Sequence, residues 1–236
     1  MDFQELFDQG PEEEEPEPEY PVVTWEGISV RLLNRHHSLW GDKLAEAGKI
    51  TASIILHEKY GVRVEGKTIC ELGAGAGLPS ICCCMKNAKN VVTTDYPDDY
   101  LVDNIKYNLK DYNNAHVIGF MWGKDPTPLL QLNNNEKFDI LILSDVIFNH
   151  TVHRQLLQST KDLLKDDGYA LILFTHHRTH LVKEDLNFFV LAESEFPFVW
   201  EEKDTVKHPP MFNDIGNMEL RTAAHVGLLT FKKNEK

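Results

Sequence analysis

No stretch of the 236-residue sequence approaches the roughly 18 consecutive apolar residues of a membrane-spanning helix. The first 20 residues contain no Lys or Arg, so the N-terminus resembles neither a signal peptide nor an Arg-rich transit peptide. A cytoplasmic location is therefore expected, with no membrane partner. Cysteine is scarce, four in all, and no CxxC pair occurs. Three of the four are adjacent, Cys82, Cys83 and Cys84, and on a helix they point about 100° apart. They cannot converge on one metal, and small buried hydrophobes in a reducing compartment are the expectation. Basic excess is missing too: the net charge is −13. A nucleic-acid binder shows a basic patch, so no nucleic-acid partner is expected.

The acidity is uneven. Residues 1–20 hold nine acids, and the rest of the chain has 24 bases against 28 acids, a net −4. The segment GPEEEEPEPEYP is too charged and proline-rich to bury a core. A disordered acidic tail over 1–20 is expected, either merely solvating or drawn to a basic protein surface, followed by one domain over 21–236.

From Thr24 onward the texture changes. GISVRLLNRHHSLW reads as a strand or hairpin running into a loop. KLAEAGKITASIILHEKY has helical spacing, with Leu44, Ala47, Thr51, Ile54 and Ile55 on one side. Strands KTICEL, NVVTTD, AHVIGF, FDILILSD and YALILFT then alternate with helices LPSICCCMKNA, DDYLVDNIKYNLKDY, HRQLLQSTKDLLK and KEDLNFFVLAES. FVWEEKDTV and HVGLLTFKK are late strands, and LNNNEK, 132–137, is a polar surface loop. Runs such as DILILSD and ALILF are nearly continuous hydrophobics, as in strands buried on both faces of a parallel sheet. Strands alternating with long helices imply βαβ units. The expected fold is α/β, a Rossmann-like doubly wound seven-stranded sheet, mostly parallel. It carries an antiparallel C-terminal hairpin and an N-terminal strand or hairpin extension.

Gly73, Gly75 and Gly77 fall between the first parallel strand and its helix, in CELGAGAGLPS. Glycine there permits unusual backbone angles and close approach of a ligand to the main chain. Ligands of such sheets bind at the carboxyl ends of the strands. The spacing G-x-G-x-G departs from the dinucleotide pattern G-x-G-x-x-G, and Glu71 would repel a pyrophosphate. A carboxylate suits a cationic ligand or a loop it braces. Asp95 ends the second strand about 20 residues on, where an acid accepts from ribose hydroxyls or merely caps the strand. Trp122, after the third strand, either stacks an adenine or is a core residue.

ELGAGAGLP with Asp95 resembles the first cofactor motif and its partner acid in the seven-strand S-adenosylmethionine-dependent methyltransferases. LW at 39–40, TDYP at 94–97, Trp122 and LSDVIFNH at 143–150 are similar to the lysine-methyltransferase group called methyltransferase family 16. The likeness spans residues 20–236. SDVIFNH, the acidic tail and the overall spacing point to its fungal branch, which acts on the N-terminal amine and on lysine of translation elongation factor 1-alpha. The resemblance implies an enzyme with S-adenosyl-L-methionine as methyl donor and a basic protein as acceptor; a monomer is expected. Gly73, Ala74 and Gly75 would face the methionine part and ribose, Asp95 the ribose hydroxyls and Trp122 the adenine. Ser144 would lie near the sulfonium, Trp40 would cover the site, and Glu71 would shape the loop or reach the amino group through water. The family's D-x-x-Y after the fourth strand is here Asp145, Val146, Ile147, Phe148, so a phenol contact to the acceptor does not carry over.

Asp145, Asn149 and His150 remain as polar candidates on the acceptor side. Asp145 or His150 would orient the amine or take its proton, unless Asp145 only binds backbone donors at the strand end. His150 and His153 share metal-ligand spacing but have no carboxylate in register, and no metal is expected. THHRTH, 175–180, is expected to be a solvated loop, with lining the acceptor pocket as the alternative. Other readings stay open: a small-molecule N-methyltransferase acting on a nicotinamide-like pyridine, a non-catalytic binding module, and, most distantly, a nicotinamide-dependent oxidoreductase.

Overall fold

The computed structural model describes residues 19–37, 41–210 and 217–233. The acidic segment up to residue 18 and Trp40 lie outside the described residues. The chain opens with a hairpin, β1 (Val22–Trp25) and β2 (Ile28–Arg31), paired antiparallel. It is fastened to a later helix, because the Arg31 guanidinium lies between the Tyr20 and Tyr107 rings at 4.2 and 3.7 Å. The Arg31 main-chain N–H also donates to Asn108 Oδ1.

The alternation follows: α1 (Glu46–Leu56), β3 (Thr68–Leu72), α2 (Leu78–Met85), β4 (Asn90–Asp95), α3 (Asp99–Leu109) and β5 (Ala115–Gly119). Then come α4 (Thr127–Gln131), β6 (Phe138–Ser144), α5 (His153–Leu163), β7 (Leu164–Thr175) and α6 (Val182–Ser194). The described chain closes with β8 (Phe198–Lys207), α7 (Met218–Arg221) and β9 (Ala223–Phe231). Seven strands form one sheet in the order β5-β4-β3-β6-β7-β9-β8. β5 through β7 pair in parallel, and β9 is antiparallel to both β7 and β8. This is the Rossmann-like, mostly parallel α/β fold with antiparallel C-terminal strands that the sequence pattern predicts.

Strand residues alternate between two cores, as the period of two requires. Ile69, Ile140, Ile142, Leu171 and Leu173 face the core that holds α1, α2 and α3. Cys70, Leu72, Leu141, Leu143, Ala170 and Ile172 face the one filled by α4, α5 and α6. The four cysteines are free and buried in these cores, and burial pushes the Cys82 and Cys84 thiols up to about 12.

Two local expectations need correction. The short helix α4 is absent from the sequence reading, because TPLLQ is too brief to show a helical period. Asn133 does not sit in a solvated loop. It is buried, donating to the Glu136 and Lys137 carbonyls and accepting from Asn90.

The strand order reverses between β3 and β6, since β4 and β5 run outward on one side and β7 on the other. A crevice at the carboxyl ends of the strands is expected there.

Candidate active site

One cleft of about 660 Å³ lies at this reversal, lined among others by Glu71, Gly73, Ala74, Gly75, Asp95, Trp122, Ser144, Asp145 and Asn149. On its β3–β4 side the wall is main chain. Gly73 and Gly75 have φ of +78° and +57°, in the left-handed region that glycine enters at little cost. The Gly73 and Ala74 N–H groups both donate to the Thr94 carbonyl at 3.0 Å, which pins the loop to the end of β4. A Cβ at Gly73 would stand 2.7 Å from Val146 Cγ1 and 3.3 Å from Trp122 Cζ2. One at Gly75 would meet nothing within 4 Å, so the backbone there is bare.

Asp95 is the side chain that braces this wall. Its Oδ2 accepts the Gly75 N–H and its Oδ1 the Tyr96 N–H, both at 2.7 Å. Burial pushes its carboxyl above the usual range, against the pull of those two donors. Glu71 works from beneath. Its Oε2 accepts the Ser80 N–H at 3.1 Å and the Ser80 hydroxyl at 2.5 Å, which ties the end of β3 to the first turn of α2. The Ser80 hydroxyl in turn accepts from Thr93. Burial pushes Glu71 up to about 8 although the Ser80 donors pull the other way, so near neutral pH it is mostly uncharged. Its bonds to Ser80 make it a brace of the loop end.

On the β6–β7 side the wall is side chain. Ser144 ends β6 and shares a hydrogen bond with Thr51 of α1 at 2.9 Å. Asp145 has φ of +59°, a left-handed conformation uncommon outside glycine and costly in strain. Its N–H donates to the Leu173 carbonyl. Its carboxylate receives His177 Nε2 on both oxygens, at 2.8 and 2.9 Å, rather than the backbone donors considered from sequence. Burial alone would lower the His177 ring's affinity for a proton, but the Asp145 charge and hydrogen bond outweigh it and the net shift is upward. Asn149 accepts the Thr151 hydroxyl, and Arg178 donates to the Phe148 carbonyl at 2.9 Å.

His150 does not line the cleft. Its Nε2 is held 2.6 Å from Asp185 Oδ1, so the part of amine-facing proton acceptor that its sequence position suggested is not available to it. The THHRTH loop is not merely solvated: His176 is buried against Asp185 and His177 lines the cleft, while His180 is exposed. His177 and Arg178 are lining residues that the sequence reading did not select. Their signal was position alone, a loop at the carboxyl end of a parallel strand. Among the described residues no group of three His, Cys, Asp or Glu side chains is placed to hold a metal ion, and no helix is long and apolar enough to cross a membrane.

Residues 26–195 match a protein-family model described as lysine methyltransferase. A Yarrowia lipolytica protein named protein N-terminal and lysine N-methyltransferase EFM7 is 39% identical over 85% of this chain and 81% of its own. The Schizosaccharomyces pombe protein of the same name is 41% identical over 85% and 81% of the two chains. The Candida glabrata one is 37% identical over 95% and 94%. Among solved structures, one titled as an RNA methyltransferase from Pyrococcus horikoshii superposes with a TM-score of 0.58 at 17% identity, covering 86% of this chain and 93% of that one. A methyltransferase complexed with SAH superposes with a TM-score of 0.58 at 14% identity, covering 90% and 56%. At such identities these two speak to the fold alone.

Proposed function

Since the chain belongs to the lysine methyltransferase family and is a methyltransferase, we propose that it is an S-adenosyl-L-methionine-dependent protein N-methyltransferase. It modifies the N-terminal α-amine, an adjacent lysine, or both, on a basic protein, and translation elongation factor 1-alpha is the acceptor the resemblance names. The observation that carries the reading is that a single cleft joins two chemically different walls. A bare glycine main chain with Asp95 forms one, and Ser144, Asp145, Asn149 and His177 form the other.

The first wall fits the donor. Gly73, Ala74 and Gly75 offer close approach, Asp95 suits the ribose hydroxyls, and Trp122 offers an aromatic face. Glu71 holds the loop that presents them. The donor, when bound, supplies a methyl group already activated by a sulfonium, so the cofactor carries the hard chemistry. What remains for the chain is to align a neutral amine and to exclude water. An α-amine, with pKa near 8, is partly neutral at pH 7, whereas a lysine near 10.4 must be desolvated or deprotonated first. The Asp145 carboxylate, held by His177, and the Asn149 amide are the groups placed to orient that amine. The acidic chain, net −13, complements a basic acceptor. Tyr96 and Met121 line the cleft and stay partly open to solvent, 47% and 39% exposed, which suits an acceptor presented by another protein.

The test is transfer of radiolabelled methyl from S-adenosylmethionine into a lysate of cells lacking this protein, followed by separation of proteins from small molecules. One labelled protein band, identified by mass spectrometry, is the expected result. Label confined to the small-molecule fraction would overturn the protein acceptor.

A further inference from the structure

Asp185 is a buried carboxylate that does not line the cleft. It lies in the first turn of α6 and is 3% exposed. Taking a carboxylate out of water is costly unless each oxygen finds a partner. Both do, and the partners come from different loops. Oδ1 accepts from His150 Nε2 at 2.6 Å, in the segment after β6, and Oδ2 accepts from His176 Nδ1 at 2.7 Å, directly after β7. None of the three side chains lines the cleft. Their immediate neighbours in sequence do: Asn149 precedes His150, and His177 follows His176. The same two loops meet again inside the cleft, through Asp145 with His177 and through Arg178 with the Phe148 carbonyl. His153 adds a tie within the first loop, its Nε2 donating to the Ile147 carbonyl at 2.6 Å.

A hydrophobic residue at 185 would fill the space without the desolvation cost. The carboxylate does what a hydrophobe cannot, which is to fix the spacing of two separate loops through two directed bonds. We propose that Asp185 is a positioning residue for methyl transfer, setting the distance between the β6 and β7 loops and so the placement of Asp145, Asn149 and His177 around the acceptor amine. This rests on reading that wall as the acceptor side. It separates two jobs, because the glycine loop is held by Thr94 and Asp95, Asp95 also accepts from Tyr96, and Glu71 is tied to Ser80, none of them bonded to Asp185.

The experiment uses the full chain and its Asp185→Asn variant, with labelled S-adenosylmethionine as donor and lysate from cells lacking this protein as acceptor. The initial rate is read against lysate concentration, and donor-site affinity is read by calorimetry with S-adenosylhomocysteine. The expected result is donor-site affinity within about twofold of the parent, with the rate into protein down ten- to a hundredfold, the scale of an ångström's misplacement. An undiminished rate overturns the proposal, and so does an equal loss of donor affinity, which marks a general structural role. Should Asp185→Asn not fold, the pair His150→Ala and His150→Gln decides the matter at a residue whose side chain is 20% exposed. Alanine should slow transfer, and glutamine, which can still donate to Oδ1, should restore part of it. Equal rates for both variants and the parent overturn the proposal. A parent enzyme that labels no protein overturns the proposed function instead.

Discussion

The two walls of the cleft are built by different means. The wall proposed for the donor is main chain, held by main chain and by one carboxylate: left-handed glycines, two N–H groups on the Thr94 carbonyl, and the Asp95 side chain clasping the Gly75 and Tyr96 amides. The wall proposed for the acceptor is side chain held by side chain: His177 meets Asp145 across 32 residues of sequence, and behind the wall His150 meets Asp185 across 35. A main-chain wall is insensitive to most substitutions, but it fails where a Cβ is added. A side-chain wall is easily retuned, and it titrates.

Gly73→Ala should break the donor wall most severely. The left-handed backbone costs an alanine about 1–2 kcal/mol. Crowding against Val146 Cγ1, at 2.7 Å and on a stiff β-branched side chain, adds roughly 1–3 kcal/mol. Donor-site affinity and melting temperature should both fall. Gly75→Ala carries the strain without the clash, so its melting temperature should fall by less than that of Gly73→Ala while the donor is still weakened. Equal behaviour of the two variants, by calorimetry and thermal melting, would refute the contrast.

His177→Gln tests the other wall. Losing a charge-assisted hydrogen bond to Asp145 should cost acceptor kcat/KM about tenfold or more, with donor affinity unchanged. The pH profile carries the sign. The His177 proton affinity is raised above its ordinary 6.5. The protonated pair is therefore complete below that value, and its contribution fades as pH rises through the raised one. Glutamine does not titrate, so the variant should lack that alkaline loss. A profile parallel to the parent's at every pH would remove His177 from the acceptor wall.

This contrast also explains what could be read from the sequence. The alternation of strands and helices, and the glycine loop between strand and helix, are local patterns, and residues 68–119 fold as those patterns predict. Glu71, Gly73, Ala74, Gly75, Asp95, Trp122 and Ser144 stand on one cleft because each sits at the end of a strand or just past it. Asp185 was not legible, since nothing in KEDLNFFVLAES shows that its Asp meets histidines from two other segments, and His177 was reachable only through the position of its loop. His150 was misread for the same reason. Proximity in sequence to Asp145 and Asn149 suggested the cleft, whereas its ring turns to α6.

Glu71 is where the contrast is sharpest and where substitution costs least in mild acid. It is the one strongly titrating side chain beneath the main-chain wall, and its pH dependence should appear in stability rather than in acceptor turnover. Burial, with some help from the Asp95 charge and in spite of Ser80, raises it from 4.5 to about 8. The folded state therefore binds this proton more tightly than the unfolded chain does. The corresponding stability is complete below pH 4.5, shrinks as pH rises, and is lost above about 8. Over that window the parent should lose on the order of a few kcal/mol from this group. Glutamine can accept the same two Ser80 donors and never ionises. Glu71→Gln should therefore melt close to the parent near pH 5, within about 1 kcal/mol equivalent, and should exceed it by a growing margin as pH rises towards 8. Melting curves of the two proteins that stay parallel from pH 5 to pH 9 would show that Glu71 is already ionised in the fold, and the donor wall would then rest on a buried charge rather than on its absence.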